Sequence, residues 1–170
     1  MLEQVDLSKK IAKAEYKTLM PDLELRLGAL QRAAKDLNMP ILIVFEGWDA
    51  AGKGTLINQL ILTFDPRGCV VHPISAPNEE ERLRPFLWRF WVKTPPKGKI
   101  AVFDRSWYGR VLVERVDKLV QKQEWERAYG EITSYERQLA DDGVVIIKFF
   151  LHISQKEQAK RFKKLQKSPA

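Results

Sequence analysis

The sequence is poor in the two residue types that most often build metal centres and cross-links, with one cysteine and two histidines in 170 residues. The single cysteine, Cys69, excludes a disulfide within the chain, and the two valines after it predict a buried, reduced thiol. His72 and His152 have no cysteine or histidine companion at metal-ligand spacing. Both are predicted to be structural histidines, not zinc ligands or catalytic bases.

Long apolar runs are also missing. No stretch approaches the roughly 20 residues with which a helix crosses a bilayer, and the first residues lack a secretory signal pattern. The composition, 45% hydrophobic and 30% charged, is that of a soluble globular protein. We therefore expect one domain, a cytoplasmic location and no membrane partner.

Negative charge is in deficit, because 29 Lys and Arg residues face 22 Asp and Glu residues and leave a net charge of +7. Such a balance favours a polyanionic partner, which could be nucleic acid, an anionic membrane or polyphosphate, although it also serves solubility. The sequence shows no helix-turn-helix, aromatic RNA-binding motif or zinc-ligand cluster, so nucleic acid is not the expected partner.

A glycine-rich stretch, residues 47–55, stands between an apolar run predicted to be a strand (41–45) and a run predicted to be a helix (56–62). This order is typical of a phosphate-binding loop, in which backbone N–H groups and the helix N-terminus face phosphate oxygens. The stretch fits G-x-x-x-x-G-K-[ST] except at Gly54. The alternative is a plain turn without a ligand. The candidate phosphate-binding residues are Gly47, Asp49, Ala50, Ala51, Gly52, Lys53, Gly54 and Thr55.

The glycine at position 54 affects the metal, because the hydroxyl at this place of the motif normally binds Mg²⁺. Asp49, inside the loop, is the first candidate for the missing ligand, and Thr55 is a weaker one. A third apolar run, 100–103, ends in Asp104, where the strand ends of open α/β sheets collect ligands. Asp104 therefore predicts a second carboxylate for Mg²⁺ or its waters.

The remaining pattern alternates helices and strands, as in an α/β protein. Predicted helices cover 21–37, the acidic-to-aromatic segment up to Trp91, 111–116, 124–139 and 158–166, the last opened by a capping box that starts at Ser154. Predicted strands cover 70–74 and 144–151, and the latter has the β-branched and aromatic content of a central strand.

Arginines follow the two carboxylates. Arg105 comes directly after Asp104, and its planar guanidinium suits phosphoryl oxygens. Arg110 and Arg115 could instead pair with Glu114 or Asp117. Arg82, Arg84 and Arg89 leave a basic side on the predicted helix after residue 78, which is either a solvated face or a guide for an anionic chain.

Four separated motifs resemble the second family of polyphosphate kinases: residues 46–54, 76–81, 87–91 and 103–110. The resemblance runs from about residue 20 to the last residue, and glycine at position 54 is what that family has. It implies a phosphate-loop kinase fold, a three-layer sandwich with a mostly parallel sheet. It also implies Mg²⁺-dependent phosphoryl transfer between inorganic polyphosphate and a nucleotide, with AMP favoured and ADP possible.

Carried over residue by residue, the resemblance makes Lys53, Asp104 and Arg105 catalytic, and Asp49 and Asp104 metal-associated. The arginines that would contact polyphosphate are Arg82, Arg84, Arg89, Arg110 and Arg115. In the family, the basic helix at 155–167 leads into a helical lid and the rest of the core. Residues 1–170 are therefore expected to form one partial kinase domain that lacks the lid and the final core elements, and a protein with two fused kinase units is one origin for such a chain.

Three rival functions remain at this stage: an ATP-dependent kinase of small molecules, a non-catalytic domain that binds nucleic acid or another polyanion, and a catalytically inactive half retained for assembly. The presence of Lys53, Asp49 and Asp104 argues against the last. Assembly into a homo-oligomer is also possible, since the aromatic residues 86–91 suit either a core or a subunit interface.

Overall fold

Four parallel strands form the centre of the protein in a computed structural model that describes residues 2–167. In the order in which they lie in the sheet, the strands are β2 (Cys69–Pro73), β3 (Ile100–Asp104), β1 (Ile41–Gly47) and β4 (Val145–Leu151), so the chain crosses over between neighbouring strands through helices, as parallel pairing requires. The α/β prediction with a parallel sheet is confirmed.

Helices cover both faces of the sheet, which gives three layers. Alternate residues of β1 point to opposite faces: Leu42 and Val44 pack with α5, whereas Ile43 and Phe45 pack with α2. Short 3₁₀ turns at Leu2–Gln4 and Pro66–Gly68 and a π-helical turn at Arg110–Glu114 complete the described elements. The helices are α1 (Lys13–Asp36), α2 (Lys53–Ile61), α3 (Glu79–Arg82), α4 (Trp88–Trp91), α5 (Lys122–Asp141) and α6 (Gln155–Gln166).

Helix α1 is longer than predicted, and only part of its apolar stripe is buried. It begins at Lys13, not at residue 21, and contains Pro21. Of the apolar residues that recur at helical spacing in 21–37, Ala34 is buried and Leu27 packs against the core, whereas Leu23, Leu30 and Leu37 are 42%, 61% and 70% exposed. Gln31 is also buried, and its side-chain amide bonds both the N–H and the C=O of residue 65. The helix therefore meets the core through the face that carries residues 27, 31 and 34.

The predicted helix that ends at Trp91 is broken into α3 and α4. Pro85 lies between them, and proline neither donates a backbone hydrogen bond nor allows a helical conformation easily in the residue before it. Leu83, directly after α3, is 84% exposed, whereas Phe90 in α4 is buried. The break lets α4 insert its aromatic side into the core while α3 stays at the surface.

Strand β4 is at an edge of the described sheet, so its predicted central position is wrong for residues 2–167. Val145, Ile147, Phe149 and Phe150 are 37–43% exposed. A high content of β-branched and aromatic residues shows that a segment suits a half-buried pleated surface. It does not show whether the strand lies at the centre or at the edge of the sheet. Within the same residues, no helix is long and apolar enough to cross a membrane.

Cys69 was predicted to be buried, but it is only half-buried in the structure. This partial burial raises the pKa of its thiol. His72 packs against the ring of Phe103, with 5.2 Å between the ring centroids. Burial, followed by the nearby charge of Lys93, lowers the pKa of His72. Both side chains therefore pack against the sheet and its neighbours, as expected of residues with a structural role.

Candidate phosphate-binding site

The loop between β1 and α2 lies at the carboxyl end of the sheet and has a backbone that requires glycine at two places. Gly47 has φ +133°, and a Cβ there would lie 2.3 Å from the carbonyl oxygen of Leu151. Gly52 has φ +103° and is the N-cap of α2. Ala50 also has positive φ, 59°, a conformation that costs a non-glycine residue energy. The loop is thus a tight, strained turn that ends at a helix N-terminus.

Lys53, the first residue of α2, is buried under this loop, with only 8% of its surface exposed. Its ammonium donates to the carbonyl oxygens of Gly47 at 2.8 Å and Trp48 at 3.1 Å. A buried ammonium needs such partners, because desolvating an unpaired charge is costly. Phosphate oxygens at the loop can replace these neutral acceptors with charged ones.

Asp49 and Arg105 meet across the site. Nη2 of Arg105 lies 3.0 Å from Oδ1 of Asp49, and the same oxygen is 4.0 Å from Nζ of Lys53. About half or more of both the arginine and the aspartate side chain is exposed. Arg105 has φ +66° and donates its backbone N–H to the carbonyl of Phe45, which ties it to β1. The structure therefore gathers the predicted Lys53, Asp49 and Arg105 in one place.

Asp104 ends β3 beside Phe45 of β1 in the register of the sheet, which places it at the same edge as the loop. Thr55 is exposed on the first turn of α2, and a Cβ at Gly54 would meet no atom within 4 Å. Residues 2–167 contain no group of three or more His, Cys, Asp or Glu side chains arranged to hold a metal. A site with two carboxylates, Asp49 and Asp104, fits Mg²⁺, which usually takes one or two carboxylates together with phosphate oxygens and waters.

Two residues of α6 hold the backbone of the loop, and sequence reasoning did not assign them. Nη1 of Arg161 donates to the carbonyls of Ala50 at 3.1 Å and Ala51 at 2.9 Å, and Nε2 of Gln158 donates to the carbonyl of Asp49 at 2.9 Å. Their spacing of three places them on one helix face. That spacing was the available signal, although it does not identify the partner.

Glu46 is a third residue to which sequence reasoning gave no role, although it lies in one of the motifs. Its Oε1 accepts a hydrogen bond of 2.7 Å from the hydroxyl of Ser106, which is 3% exposed. Burial raises the pKa of Glu46, against the hydrogen bond from Ser106 and the charges of Lys53 and Arg105. A partly buried carboxyl group thus lies in the last residues of β1, directly before the loop.

The loop after β3 is anchored on its other side by α5. One oxygen of Glu136 accepts from the indole N–H of Trp107 at 3.0 Å and from the hydroxyl of Tyr108 at 2.6 Å. Its other oxygen accepts from Nζ of Lys148 at 2.8 Å. Burial, then the hydrogen bond to Glu136, raises the pKa of Tyr108. These contacts fix the segment that carries Arg105.

The predicted polyphosphate arginines on α3 and α4 have different surroundings. Arg89 is 9% exposed, lies 3.3 Å from Glu81 and donates to the carbonyl of Ser75. It therefore has a structural role, and the exposed basic side predicted for it is not observed. Arg84 lies over the Trp88 ring and pairs with Glu80. Arg82 is exposed and donates to a backbone carbonyl.

Arg110 and Arg115, which follow β3 in the chain, also have partners within the protein. Arg110 pairs with Glu114 at 3.1 Å, as the alternative interpretation expected, and its guanidinium lies 4.5 Å from the Phe86 ring centroid. Arg115 lies over the ring of Trp125 and donates to the hydroxyl of Tyr129, so the alternative interpretation, in which it pairs with Glu114 or Asp117, is wrong for this residue.

His152 has the structural role that the sequence predicted. Its Nδ1 accepts from the indole N–H of Trp48 at 2.8 Å. Trp48, 45% exposed, also meets the ring of Phe150 edge-on, with 6.1 Å between centroids. The end of β4 thus supports the first side chain of the loop.

A parallel sheet in the order 2-3-1-4, a strained loop over a buried lysine and an aspartate at the adjacent strand end together define an α/β fold of the phosphate-loop kinase type. The sequence profile of Polyphosphate kinase 2 (PPK2) matches residues 10–170, and the chain belongs to this family.

Individual relatives agree with this result. The chain is 43% identical over 169 residues to a polyphosphate:AMP phosphotransferase of Pseudomonas syringae pv. tomato, covering 99% of this chain and 34% of that protein. It is 41% identical over 129 residues to an AMP/ADP-polyphosphate phosphotransferase of Meiothermus ruber, covering 76% and 48%. The crystal structure of a polyphosphate kinase 2 from Arthrobacter aurescens superposes with a TM-score of 0.94 at 32% identity, covering 99% of this chain and 63% of that one. The chain thus spans about a third of the length of the first relative.

Proposed function

We propose that the protein to which this chain belongs transfers a phosphoryl group between inorganic polyphosphate and a nucleotide. The observation that carries the proposal is the meeting of Lys53, Asp49 and Arg105 at the loop, in a chain of the polyphosphate kinase 2 family. Residues 1–170 are proposed to supply the phosphate-binding part of one kinase domain.

Positioning and charge neutralisation account for the chemistry, because a phosphate acceptor needs no strong base. In the proposal, backbone N–H groups of residues 50–54 and the N-terminus of α2 receive phosphate oxygens. Lys53 exchanges the carbonyls of Gly47 and Trp48 for phosphate oxygens, and Arg105 neutralises charge on the transferring group.

The carboxylates of Asp49 and Asp104 are the proposed ligands of Mg²⁺. When bound, the ion would neutralise phosphate charge and orient the phosphate oxygens. On this proposal Asp49 has two cationic neighbours, Lys53 and Arg105, which are free to turn to phosphate once the carboxylate has another partner.

AMP is the proposed acceptor, because the Pseudomonas syringae relative is named for AMP. The Meiothermus ruber relative is named for both AMP and ADP, so ADP is the second candidate. Of the five arginines considered for the polyphosphate chain, Arg82, Arg84, Arg110 and Arg115 remain candidates. The cytoplasmic location, the absence of a nucleic-acid partner and assembly into an oligomer also remain predictions.

The test is a phosphoryl-transfer assay on the protein at the length of its natural chain, with Mg²⁺, polyphosphate as donor, and AMP, ADP or GDP as acceptor. The wild type should form ADP from AMP faster than it forms products from the other two acceptors. Lys53→Ala should abolish the reaction, since it removes the buried cation of the loop. Lys97→Ala is the matched control, because it removes an exposed lysine at the opposite end of the sheet.

The rival functions give different results. Product with ATP as donor and a small-molecule acceptor, but none with polyphosphate, would indicate an ATP-dependent kinase. No transfer from either donor, together with salt-dependent binding of DNA or RNA, would replace the kinase proposal with a polyanion-binding role.

A further inference from the structure

We propose that Glu46 is a positioning residue that holds Arg105 in its working place through the hydroxyl of Ser106. The inference rests on the proposed function, in which Arg105 contacts the transferring phosphoryl group. It adds to that site a role for Glu46, which binds neither phosphate nor metal in the proposed mechanism.

The first observation is the backbone of Arg105. Its φ of +66° is unfavourable for a residue with a side chain, so surrounding contacts must hold it. Its own N–H donates to Phe45, the residue directly before Glu46. The strained residue is therefore tied to β1 at the point where the phosphate loop begins.

The second observation is the buried hydrogen-bond chain beside it. The hydroxyl of Ser106 donates to Glu46 at 2.7 Å and accepts the backbone N–H of Tyr108 at 3.2 Å. One serine thereby closes the turn after Arg105 and fastens this turn to β1. Because Ser106 is almost completely buried, removing either partner leaves a buried polar group unpaired.

The third observation is the position of the Arg105 side chain, which the turn directs to the loop. The guanidinium of Arg105 lies 3.0 Å from Asp49 and points to the loop that also holds Lys53. Glu136 anchors the far side of the same segment, and within residues 2–167 its carboxylate bonds Trp107, Tyr108 and Lys148 but neither residue 105 nor residue 106. Glu46 is thus the carboxyl group that acts on the part of the turn nearest to Arg105.

The test compares Glu46→Ala and Ser106→Ala with Glu46→Gln in the natural-length protein. A displacement of a catalytic group by about 1 Å lowers rates by about a hundredfold, so we expect Glu46→Ala and Ser106→Ala to lower kcat by roughly ten- to a hundredfold. KM for polyphosphate should change by less than about threefold, because the groups that bind the chain remain. Glu46→Gln keeps an acceptor oxygen for Ser106 and should retain most of the activity.

A double-mutant cycle identifies the route. In an Arg105→Ala background, Ser106→Ala should have almost no further effect on kcat, since the group that Ser106 positions is gone. An undiminished loss in that background would overturn the proposal, as would Glu46→Ala and Ser106→Ala variants with wild-type kcat. Ser134→Ala, at an exposed serine of α5, is the matched control.

Hydrogen exchange gives a readout that does not need activity. The amides of residues 105–108 should exchange faster in Glu46→Ala and Ser106→Ala, whereas those of residues 130–139 in α5 should not change. Unchanged exchange at 105–108 would overturn the positioning role even if the protein transferred no phosphate. If the wild type transfers no phosphate but the amides of residues 105–108 still exchange faster in the two variants, only the proposed function is rejected and the positioning role stands.

Discussion

Nη2 of Arg105 lies 3.0 Å from Oδ1 of Asp49, so the proposed phosphate-binding arginine and the proposed metal carboxylate are partners of each other. Both side chains are well exposed, and an exposed ion pair of this kind contributes little to stability, about 0–1 kcal/mol. The pair is therefore easily opened by ligands with more charge. Its value lies in holding both groups beside Lys53, where phosphate and metal would compete for them.

Arg105→Lys should lower kcat strongly while leaving stability nearly unchanged. Lysine keeps the charge but loses the planar fork, and an arginine on a transferring phosphoryl group is worth about 10³–10⁵ in kcat in related chemistry. We expect a loss of at least about a hundredfold. Arg127→Lys, in an exposed pair with Glu131, is the control. Near-normal turnover in Arg105→Lys would show that only the charge matters.

Two glycines of the loop should respond oppositely to alanine. Gly52 has φ +103°, so Gly52→Ala should destabilise the protein by about 1–2 kcal/mol. A Cβ at Gly54 meets nothing and Gly54 lies in α2, so Gly54→Ala should stabilise the protein by about 0.4–1 kcal/mol. Urea unfolding of the two variants measures the difference. A destabilising Gly54→Ala would indicate that glycine at this place is required by the backbone itself.

The sequence was sufficient to predict the parts of the site that depend on local order. A strand, glycines and a lysine in succession predict the loop, and an apolar run that ends in Asp104 predicts the neighbouring strand end. The contacts of Glu46 with Ser106 and of Arg161 with the loop join residues 60 and more than 100 positions apart. Local pattern carries no information about such partners.

In the fold, too, local features were predictable from the sequence, whereas contacts between distant residues were not. Period and composition predicted the four strands, but not that Gln31 would be buried on α1 or that Pro85 would break a helix. Leu30 and Leu83 are exposed. Hydrophobic spacing identifies an element, whereas the face that it buries depends on contacts with distant parts of the chain.

Arg89 and Arg82, both predicted to contact polyphosphate, should separate in a stability measurement. Arg89 is buried beside Glu81 and donates to the carbonyl of Ser75; because Glu81 keeps Lys93 as a partner, Arg89→Ala should cost about 1–3 kcal/mol, the effect of leaving a buried hydrogen-bonding group unpaired. Arg82 is exposed, so Arg82→Ala should change stability by less than about 0.5 kcal/mol. Thermal unfolding of the two alanine variants makes the comparison. Equal, small effects would return Arg89 to the candidates for substrate binding.

The carboxyl group of Glu46 should make stability depend on pH. Burial raises its pKa above the ordinary value of 4.5, so the folded protein holds this proton more tightly than the unfolded chain does. This contribution to stability is fully present below pH 4.5 and is lost as pH rises through the higher folded pKa. Glu46→Gln should therefore gain stability relative to wild type at pH 7, and the gain should vanish near pH 4. A difference that does not vary with pH would contradict the raised pKa.

Helix α6 should influence polyphosphate binding through Arg161, because this side chain bonds the carbonyls of Ala50 and Ala51 and so fixes the loop whose N–H groups would face phosphate. Arg161→Ala and Lys160→Ala each remove one positive charge from the same helix, and both side chains lie within 4.0 Å of Glu157. The long-range electrostatic loss is therefore similar in the two variants. Only Arg161→Ala also frees the loop, so its affinity for polyphosphate should fall by about tenfold, the effect of about 1.4 kcal/mol, against less than about threefold for Lys160→Ala. Titration calorimetry with polyphosphate of one defined length measures both values, and equal losses would mean that α6 acts by charge alone.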